Sequence, residues 1–269
     1  MKKVSIMGCG WFGFPLAKAL VSQGYSVKGS TTSPGKFEDL TDAGVQPFLL
    51  KLGEESETLE DFLKSDILLI NVPPGKSTHE IYSQQMQDLA DQVAGSQIGK
   101  IIFVSSTSVY PNHLSKVVES DATQIKTPRS GITMLEIEKI WQQLNDKNIN
   151  IIRFAGLYGP NRNPGRFLAG KTTNGGSNPV NMIHLTDCIG IVTELIESDY
   201  DHAVFNACAP VHPTRKEFYV AAASQFGYAL PSFEPPHETG SKIVSSEKLV
   251  STTGYSFIYP DPVASLDHL

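Results

Sequence analysis

Three glycines in the spacing Gly-x-Gly-x-x-Gly constrain this chain more than any other feature of its sequence. Gly8, Gly10 and Gly13 stand between an apolar run predicted as a strand and a stretch predicted as a helix. In that context the first glycine allows a tight turn, the second lets a phosphate approach the backbone, and the third lets helix and strand pack closely. The motif, with Trp11 and Phe12 between its glycines, predicts a dinucleotide-binding loop. The alternative is a tight strand-to-helix turn that binds nothing.

The first 155 residues alternate short apolar runs with longer mixed segments, a pattern typical of βαβ units. The predicted strands are Val4–Met7, Ser26–Gly29, Gln46–Leu50, Ile67–Ile70, Ile101–Val104 and Ile149–Phe154. The predicted helices are Phe12–Gln23, Lys36–Ala43, Leu59–Leu63, Glu80–Val93 and Ile132–Leu144. We therefore expect an α/β fold with a doubly wound parallel sheet of the Rossmann type, whose NAD(P)-binding domain covers residues 1–155.

The amino-acid composition of the sequence changes after residue 155. Residues 156–181 are rich in Gly, Pro and Asn and predict a long loop region, which in a compact protein is usually functional. The predicted elements that follow are a strand over Val180–Leu185, a helix over Asp187–Glu197, a strand over Ala203–Ala207, a helix over Thr214–Phe226 and a short amphipathic segment over Ser245–Val250. We expect residues 156–269 to form a small C-terminal substrate-binding region, interleaved with the last strands and helices of the core.

Composition excludes several classes of function. The net charge of −6 argues against a general binder of nucleic acid or anionic membranes. Three scattered cysteines and seven histidines without ligand spacing predict neither a disulfide framework nor a metal site. The basic N-terminus resembles a signal peptide, but glycines and Lys18 interrupt its apolar run. No stretch approaches the roughly 18 apolar residues that a membrane span needs, and we expect a cytoplasmic location.

The end of the second predicted strand bears on the choice of cofactor. An NAD site usually has an acidic residue there, whereas this chain has Ser30, Thr31 and Thr32, with no acid before Glu38. These hydroxyls and Lys36 predict a site for the 2′-phosphate of NADP, with NAD as the alternative. They could equally form a polar turn with a Ser/Thr cap.

A second segment is predicted to line the same site. Asn71, Val72 and Pro73 end the fourth predicted strand at the carboxyl edge of the sheet, where open α/β sheets bind ligands. We expect them on the adenosine side of the cleft.

From Ile101 onward the chain resembles the extended short-chain dehydrogenase/reductases, which include nucleotide-sugar epimerases and dehydratases. The matching segments are Phe103–Tyr110, Arg153–Pro160, Val180–Asp187, Val204–Ala207 and Ser245–Tyr255. The resemblance implies a Rossmann core, a C-terminal substrate region and a catalytic Ser/Thr with a Tyr-x-x-x-Lys pair, in which Lys lowers the pKa of Tyr.

The chain keeps the serine of that set, best matched by Ser106, and departs from the pair. Ser130 and Met134 stand where the family has Tyr and Lys, and neither can do the same chemistry. Candidate replacements on segments that border the nicotinamide or substrate in the family are Tyr110, Tyr158, His113 and His184, of which we favour Tyr158. The alternative is that these side chains are structural.

Arg162 and Arg166, with Lys171 beyond them, form the most basic segment of an acidic chain. Because Arg suits bidentate recognition of carboxylate or phosphate, we hypothesise that they bind an anionic substrate group. A solvated loop is the alternative.

Three functions fit these patterns. The first is an NADP(H)-dependent oxidoreductase or epimerase-like enzyme acting on a small anionic or sugar-derived carbonyl or alcohol. The second is a non-catalytic NADP(H)-binding sensor or partner protein, consistent with loss of the Tyr and Lys. The third is a β-hydroxyacid-dehydrogenase-like reductase, which would have an all-helical second half. The resemblance leaves a homodimer open, and nothing in the sequence requires one.

Overall fold

A computed structural model describes residues 2–75, 77–112, 115–123, 129–235 and 240–269. The candidate residue His113 lies outside these ranges. The described residues form thirteen strands: β1 Lys3–Met7, β2 Ser26–Thr31, β3 Gln46–Leu49, β4 Ile67–Ile70, β5 Lys100–Ser106, β6 Lys116–Val117, β7 Asn148–Phe154, β8 Gly156–Tyr158, β9 Thr172–Thr173, β10 Met182–His184, β11 Ala203–Ala207, β12 Ser232–Phe233 and β13 Ile243–Val244.

Eight α-helices connect them: α1 Gly13–Ser22, α2 Phe37–Asp42, α3 Leu59–Phe62, α4 His79–Ala94, α5 Arg129–Gln142, α6 Leu185–Glu197, α7 Arg215–Gln225 and α8 Glu247–Thr253. Short 3₁₀ segments lie at Pro34–Lys36, Thr107–Val109, Glu119–Asp121, Pro164–Arg166 and Ala264–His268. Two helices have side-chain N-caps within the described residues: Thr78 caps α4, and Thr214 and Glu217 form a reciprocal capping box at α7.

Seven strands form the central sheet in the order β11-β7-β5-β4-β1-β2-β3. β1 pairs in parallel with both β2 and β4, β2 pairs with β3, and β4 pairs with β5. The chain leaves β1 first toward β2 and β3 and later returns to β4 on the other side. The sheet therefore has a topological switch point at the carboxyl end of β1, where such folds bind ligands. The predicted α/β Rossmann-type fold and all six predicted strands of the first 155 residues are confirmed.

The chain divides into two compact units. The first contains residues 2–105, 132–152 and 192–204, and the second contains residues 106–131, 153–191 and 205–269. The second unit begins its main segment at Arg153, close to the boundary expected after residue 155. It also takes in residues 106–131, which the sequence pattern had grouped with the first domain.

Each unit has its own apolar core. In the first, the helices α4 and α5 cover the sheet with side chains such as Met86 and Trp141, and Trp141 stacks on Phe103 with ring centroids 6.3 Å apart. In the second, Phe218 of α7 packs edge-on against Tyr158 at 5.8 Å.

The second unit differs from the expectation of a long loop over residues 156–181. This stretch contains β8 and β9, which pair in parallel with β10 and β12, and a third pair joins β6 to β13. These strands have only two or three residues, so they carry no periodicity that a sequence could reveal. Their presence also rules out the all-helical second half that the β-hydroxyacid-dehydrogenase-like interpretation requires.

Candidate functional site

Two glycines of the loop after β1 are required by the protein itself. Gly8 has φ +104°, in the left-handed region, and a Cβ there would lie 2.4 Å from the backbone oxygen of Asn71. A Cβ on Gly13 would lie 2.2 Å from the backbone oxygen of Gly8. The first glycine therefore makes the turn and the third makes the close packing, as the motif predicts.

Gly10, the middle glycine, is not required by any part of the protein that the structure describes. It is exposed, and a Cβ built on it would meet no heavy atom within 4 Å. The space that its missing side chain leaves lies at the start of α1, a helix with no acidic residue in its first turn. A phosphate fits such a place, because helix N-termini attract anions and the backbone here is open to close approach.

Ser30 holds this loop in shape. Its hydroxyl accepts a hydrogen bond from the Gly8 N–H at 2.9 Å, and its carbonyl accepts one from the Cys9 N–H at 2.8 Å. Ser30 is only 2% exposed. The expectation that Ser30 contacts a 2′-phosphate is therefore corrected, because its buried hydroxyl is bonded to the loop backbone at Gly8 and is not available to a ligand.

The other three residues predicted to bind the 2′-phosphate differ in their exposure to solvent. Thr31 is buried, and its hydroxyl accepts a hydrogen bond from the Ser33 N–H at 3.2 Å. Thr32 and Lys36 are exposed. Of the four residues predicted to bind the 2′-phosphate, these two have side chains that a ligand can reach.

A pocket of about 190 Å³ lies beside the glycine loop. Its lining residues are Cys9, Gly10, Trp11, Phe14, Lys36, Asp39 and Leu40. Burial raises the pKa of the Cys9 thiol to about 12, so the thiol stays protonated and unreactive at neutral pH. The groups that a ligand could contact in this pocket are therefore the aromatic rings of Trp11 and Phe14, the backbone at Gly10, and the side chains of Lys36 and Asp39.

Asn71 and Val72 lie against the same loop, since a Cβ on Gly8 would meet the Asn71 backbone oxygen at 2.4 Å and the Val72 side chain at 3.4 Å. The Asn71 side chain donates to the Gly8 carbonyl at 3.3 Å, and the Val72 carbonyl accepts from the Tyr82 hydroxyl at 2.6 Å. Pro73 is exposed. Phe12, in contrast, is only 3% exposed, so its side chain belongs to the core and only its backbone remains to contact a cofactor.

Helix α5 lacks the catalytic pair, and the structure shows what its residues do instead. Ser130 is exposed, while Met134 packs against the core of the first unit. One turn further along, Glu138 is 2% exposed and accepts a hydrogen bond from the Ser105 hydroxyl at 2.5 Å. No local pattern around either residue predicts this buried pair, because its members are 33 residues apart.

Tyr110 belongs to a buried polar network in the second unit. Its hydroxyl donates to the Asn206 side chain at 2.6 Å and accepts from the Arg153 guanidinium at 2.8 Å. Burial raises its pKa to about 12, although Arg153 opposes the shift. Tyr110 is therefore reassigned from catalysis to support, since both its hydrogen-bonding directions are occupied and the residue is fully buried.

Tyr158, the favoured replacement acid, is also placed in the core. Its hydroxyl lies 2.6 Å from the Ser265 hydroxyl, its exposed fraction is 0%, and burial raises its pKa well above the usual value. This corrects the prediction: a fully buried phenol with a serine partner is not positioned to protonate a ligand.

His184 packs against the same tyrosine, with ring centroids 5.2 Å apart. Its Nδ1 accepts from the Thr186 N–H at 3.2 Å, which places the proton of the neutral ring on Nε2. Burial, with a smaller contribution from His268, lowers its pKa to about 4. His184 is neutral at physiological pH and has a structural role.

Asp187 fixes the C-terminal segment in this unit. Its carboxylate is fully buried and accepts hydrogen bonds from the Tyr255 hydroxyl at 3.0 Å and from the backbone N–H groups of Ile258 and Tyr259 at 2.7 and 3.1 Å. Burial raises its pKa, and these three donors act against that shift.

Ser106 is the remaining catalytic candidate. It is half-buried, it ends β5, and its hydroxyl accepts from the Ser108 N–H at 3.1 Å. Arg162 and Arg166 are both exposed in the segment after β8. The Arg162 Nε donates to the Leu157 carbonyl at 3.0 Å, and Arg166 is the last residue of a 3₁₀ turn that packs on α7.

In the described part of the chain, no helix is long and apolar enough to cross a membrane. Nor do three His, Cys, Asp or Glu side chains cluster as metal ligands anywhere in those ranges.

Known proteins resemble this chain at two levels. Residues 3–134 match the family described as the NAD binding domain of 6-phosphogluconate dehydrogenase. Protein YeeZ of Escherichia coli strain K12 is 37% identical over 270 aligned positions, covering 98% of each chain.

Solved structures extend the likeness to the whole fold. A functionally unknown conserved protein from Silicibacter pomeroyi has a TM-score of 0.81 at 22% identity, covering 99% of this chain and 97% of that one. UDP-glucuronic acid 4-epimerase from Bacillus cereus, in complex with UDP-glucuronic acid and NAD, has a TM-score of 0.81 at 19% identity with the same coverage. At such identities the likeness establishes the fold.

Proposed function

We propose that this protein is an oxidoreductase or epimerase-like enzyme with a preference for NADP(H). The chain belongs to an atypical NAD-dependent epimerase-like family together with Protein YeeZ, and the proposal proceeds from that membership. Its substrate would be a small anionic or sugar-derived carbonyl or alcohol. We expect it to act in the cytoplasm without nucleic acid or membrane as a partner, and a homodimer remains open.

Gly10 is the observation that carries this proposal. The other two loop glycines are explained by backbone crowding, whereas Gly10 has open space around its missing side chain. A bound pyrophosphate would occupy that space and account for the second glycine of the motif. When bound, the nicotinamide supplies or accepts a hydride, and the protein contributes binding, orientation and a hydrogen-bonding hydroxyl, for which Ser106 is the candidate.

The NADP preference rests on Lys36. Lys36 is exposed and lines the pocket beside the glycine loop, as does Asp39. We expect Lys36→Ala to weaken NADPH binding about tenfold, the effect of one lost charge-assisted hydrogen bond, and to leave NADH binding unchanged. Isothermal titration calorimetry with both cofactors measures this.

Lys64→Ala is the matched control, since Lys64 is an exposed lysine of the same unit that pairs with Glu60 at 3.1 Å and precedes the amino end of β4. It should change neither affinity. Equal weakening of both cofactors by Lys36→Ala, or no weakening of either, would show that the 2′-phosphate is not read here.

The anionic end of the substrate is assigned to Arg166, supported by Arg162. We expect Arg166→Ala to weaken binding of UDP-glucuronic acid, used as an anionic probe, by about tenfold or more in a fluorescence or calorimetric titration. Lys216→Ala, an exposed cation on α7, is the control. Unchanged affinity in the Arg166 variant, in a protein that does bind the probe, would show that this segment is only a solvated loop.

A non-catalytic NADP(H) sensor is the second candidate function. It is favoured by Ser130 and Met134 at the catalytic positions and by the burial of Tyr110 and Tyr158, which removes two substitute acids. Turnover of any carbonyl compound, followed as loss of NADPH absorbance, would eliminate this candidate. Cofactor binding without turnover across a broad panel would favour it.

A further inference from the structure

Lys242 occupies an unusually well-fixed position in the second unit. Asn181 holds the backbone from Lys242 to Val244, since its amide donates to the Lys242 carbonyl at 2.8 Å and accepts from the Val244 N–H at 2.8 Å. The intervening Ile243 N–H donates to the Ser115 carbonyl at 3.0 Å. The lysine is therefore held by main-chain contacts that do not depend on its own side chain.

The amine of Lys242 is directed at the turn that follows Ser106. Its Nζ donates to the Tyr110 carbonyl at 2.6 Å and lies 6.0 Å from the centre of the Tyr110 ring. Tyr110 closes the 3₁₀ turn Thr107–Val109, because its N–H donates to the Thr107 carbonyl at 3.3 Å. The turn whose N-cap is the candidate Ser106 thus also anchors a half-buried ammonium group.

This ammonium has no acidic partner within the ranges that the structure describes. Other half-buried or surface lysines do: Lys116 pairs with Glu247 at 2.8 Å, and the charge of Asp199 acts on Lys100. Burial lowers the pKa of Lys242, and no acidic group opposes that shift. One carbonyl satisfies one of its three N–H donors, which leaves donors for another acceptor.

A second cation and an anion also act on Tyr110. The Arg153 guanidinium lies 5.4 Å from the centre of the same ring and is bonded to the Glu119 carbonyl and the Tyr110 hydroxyl. The Glu119 carboxylate accepts from the Asn206 N–H at 2.8 Å, and its charge opposes that of Arg153 at the tyrosine, so Lys242 adds a positive charge to this pair. A half-buried cation in such surroundings is most stable with an anion beside it.

We propose that Lys242 binds an oxyanion of the small-molecule substrate, a phosphate or carboxylate group, next to the turn that carries Ser106. This inference deepens the proposed function and rests on it for the identity of the ligand as a substrate. It assigns Lys242 a role in binding that is separate from Arg162 and Arg166.

The test is site-resolved acylation of lysines in the full-length wild-type protein, read by mass spectrometry at one fixed pH. Inorganic phosphate and acetate are the probes, with sodium chloride at matched ionic strength as the control. At a probe concentration about ten times its Kd, labelling of Lys242 should fall about tenfold, while labelling of the exposed Lys216 stays constant. Protection by phosphate alone or by acetate alone identifies the oxyanion.

Two variants complete the design. Lys242→Met keeps the length of the side chain and should lose the thermal stabilisation that the protective anion gives, and Lys242→Arg should retain it. Equal labelling of Lys242 in all salts, or identical stabilisation of Lys242→Met and wild type, would overturn the proposal. Should Lys242→Met fail to fold, the labelling of wild type still decides.

Failure of this inference is distinguishable from failure of the proposed function. The cofactor loop belongs to the first unit and Lys242 to the second, so NADPH binding is measured separately on the same preparations. Cofactor binding without protection of Lys242 would reject the oxyanion site alone. Protection without cofactor binding would retain the anion site and reject the proposed enzyme function.

Discussion

Replacing Gly10 with alanine is expected to weaken dinucleotide binding by at least about tenfold without changing the stability of the fold. A Cβ at Gly10 meets no protein atom within 4 Å, so the free energy of unfolding should stay within about 0.5 kcal/mol of wild type. The same methyl group would stand where the pyrophosphate approaches the backbone, and such overpacking costs about 1–3 kcal/mol. Calorimetric titration with NADPH and chemical unfolding measure the two quantities.

Gly13→Ala is the matched control for this prediction. Its Cβ would lie 2.2 Å from the Gly8 carbonyl oxygen, a backbone atom that cannot move without distorting the turn. We expect a loss of about 3 kcal/mol or more in the free energy of unfolding. If Gly10→Ala also lost stability, or if it bound NADPH normally, the middle glycine would have no role in binding a ligand.

The stability of the protein should fall as the solution is acidified because of His184. Its pKa is about 4 in the folded protein, against 6.5 for the unperturbed group. As the pH falls between these values the unfolded chain binds a proton that the folded chain does not, so folding loses about 1.4 kcal/mol per pH unit. The full contribution is present above the unfolded pKa, and about 3 kcal/mol is lost by the time the pH reaches the folded pKa.

His184→Asn isolates this contribution, because asparagine can accept the Thr186 N–H bond but does not titrate. The difference between wild type and variant in the pH dependence of unfolding is the quantity to compare, since Asp187 and His212 also titrate differently in the folded state. An identical pH dependence in wild type and His184→Asn would contradict the assignment.

Features that depend only on neighbouring residues in the chain could be predicted from the sequence. The glycine loop and the strand-helix alternation depend on neighbours within a few residues, and the structure has both. The role of Ser30 could not be predicted, because a hydroxyl at the end of β2 reveals neither its direction nor its bond to Gly8, 22 residues away.

Long-range partners explain the tyrosines that were misassigned. Tyr110 is bonded to Asn206 across 96 residues and Tyr158 to Ser265 across 107 residues. Nothing adjacent to either tyrosine in the chain reports such a partner, so a buried tyrosine and a reactive one look alike in sequence. The position of Lys242 could not be predicted for the same reason, since it depends on contacts with Asn181 and Tyr110, which are distant in the chain.

Calorimetric titration of the wild-type protein with NADPH and NADH tests directly whether the loop after β1 binds a dinucleotide. We predict binding of one dinucleotide per chain, with the phosphorylated cofactor the tighter, and a matching rise in melting temperature of about 5 °C or more at roughly 100 times Kd. Absence of heat and of any thermal shift with both cofactors would contradict it, and would leave the loop after β1 as a turn that binds nothing.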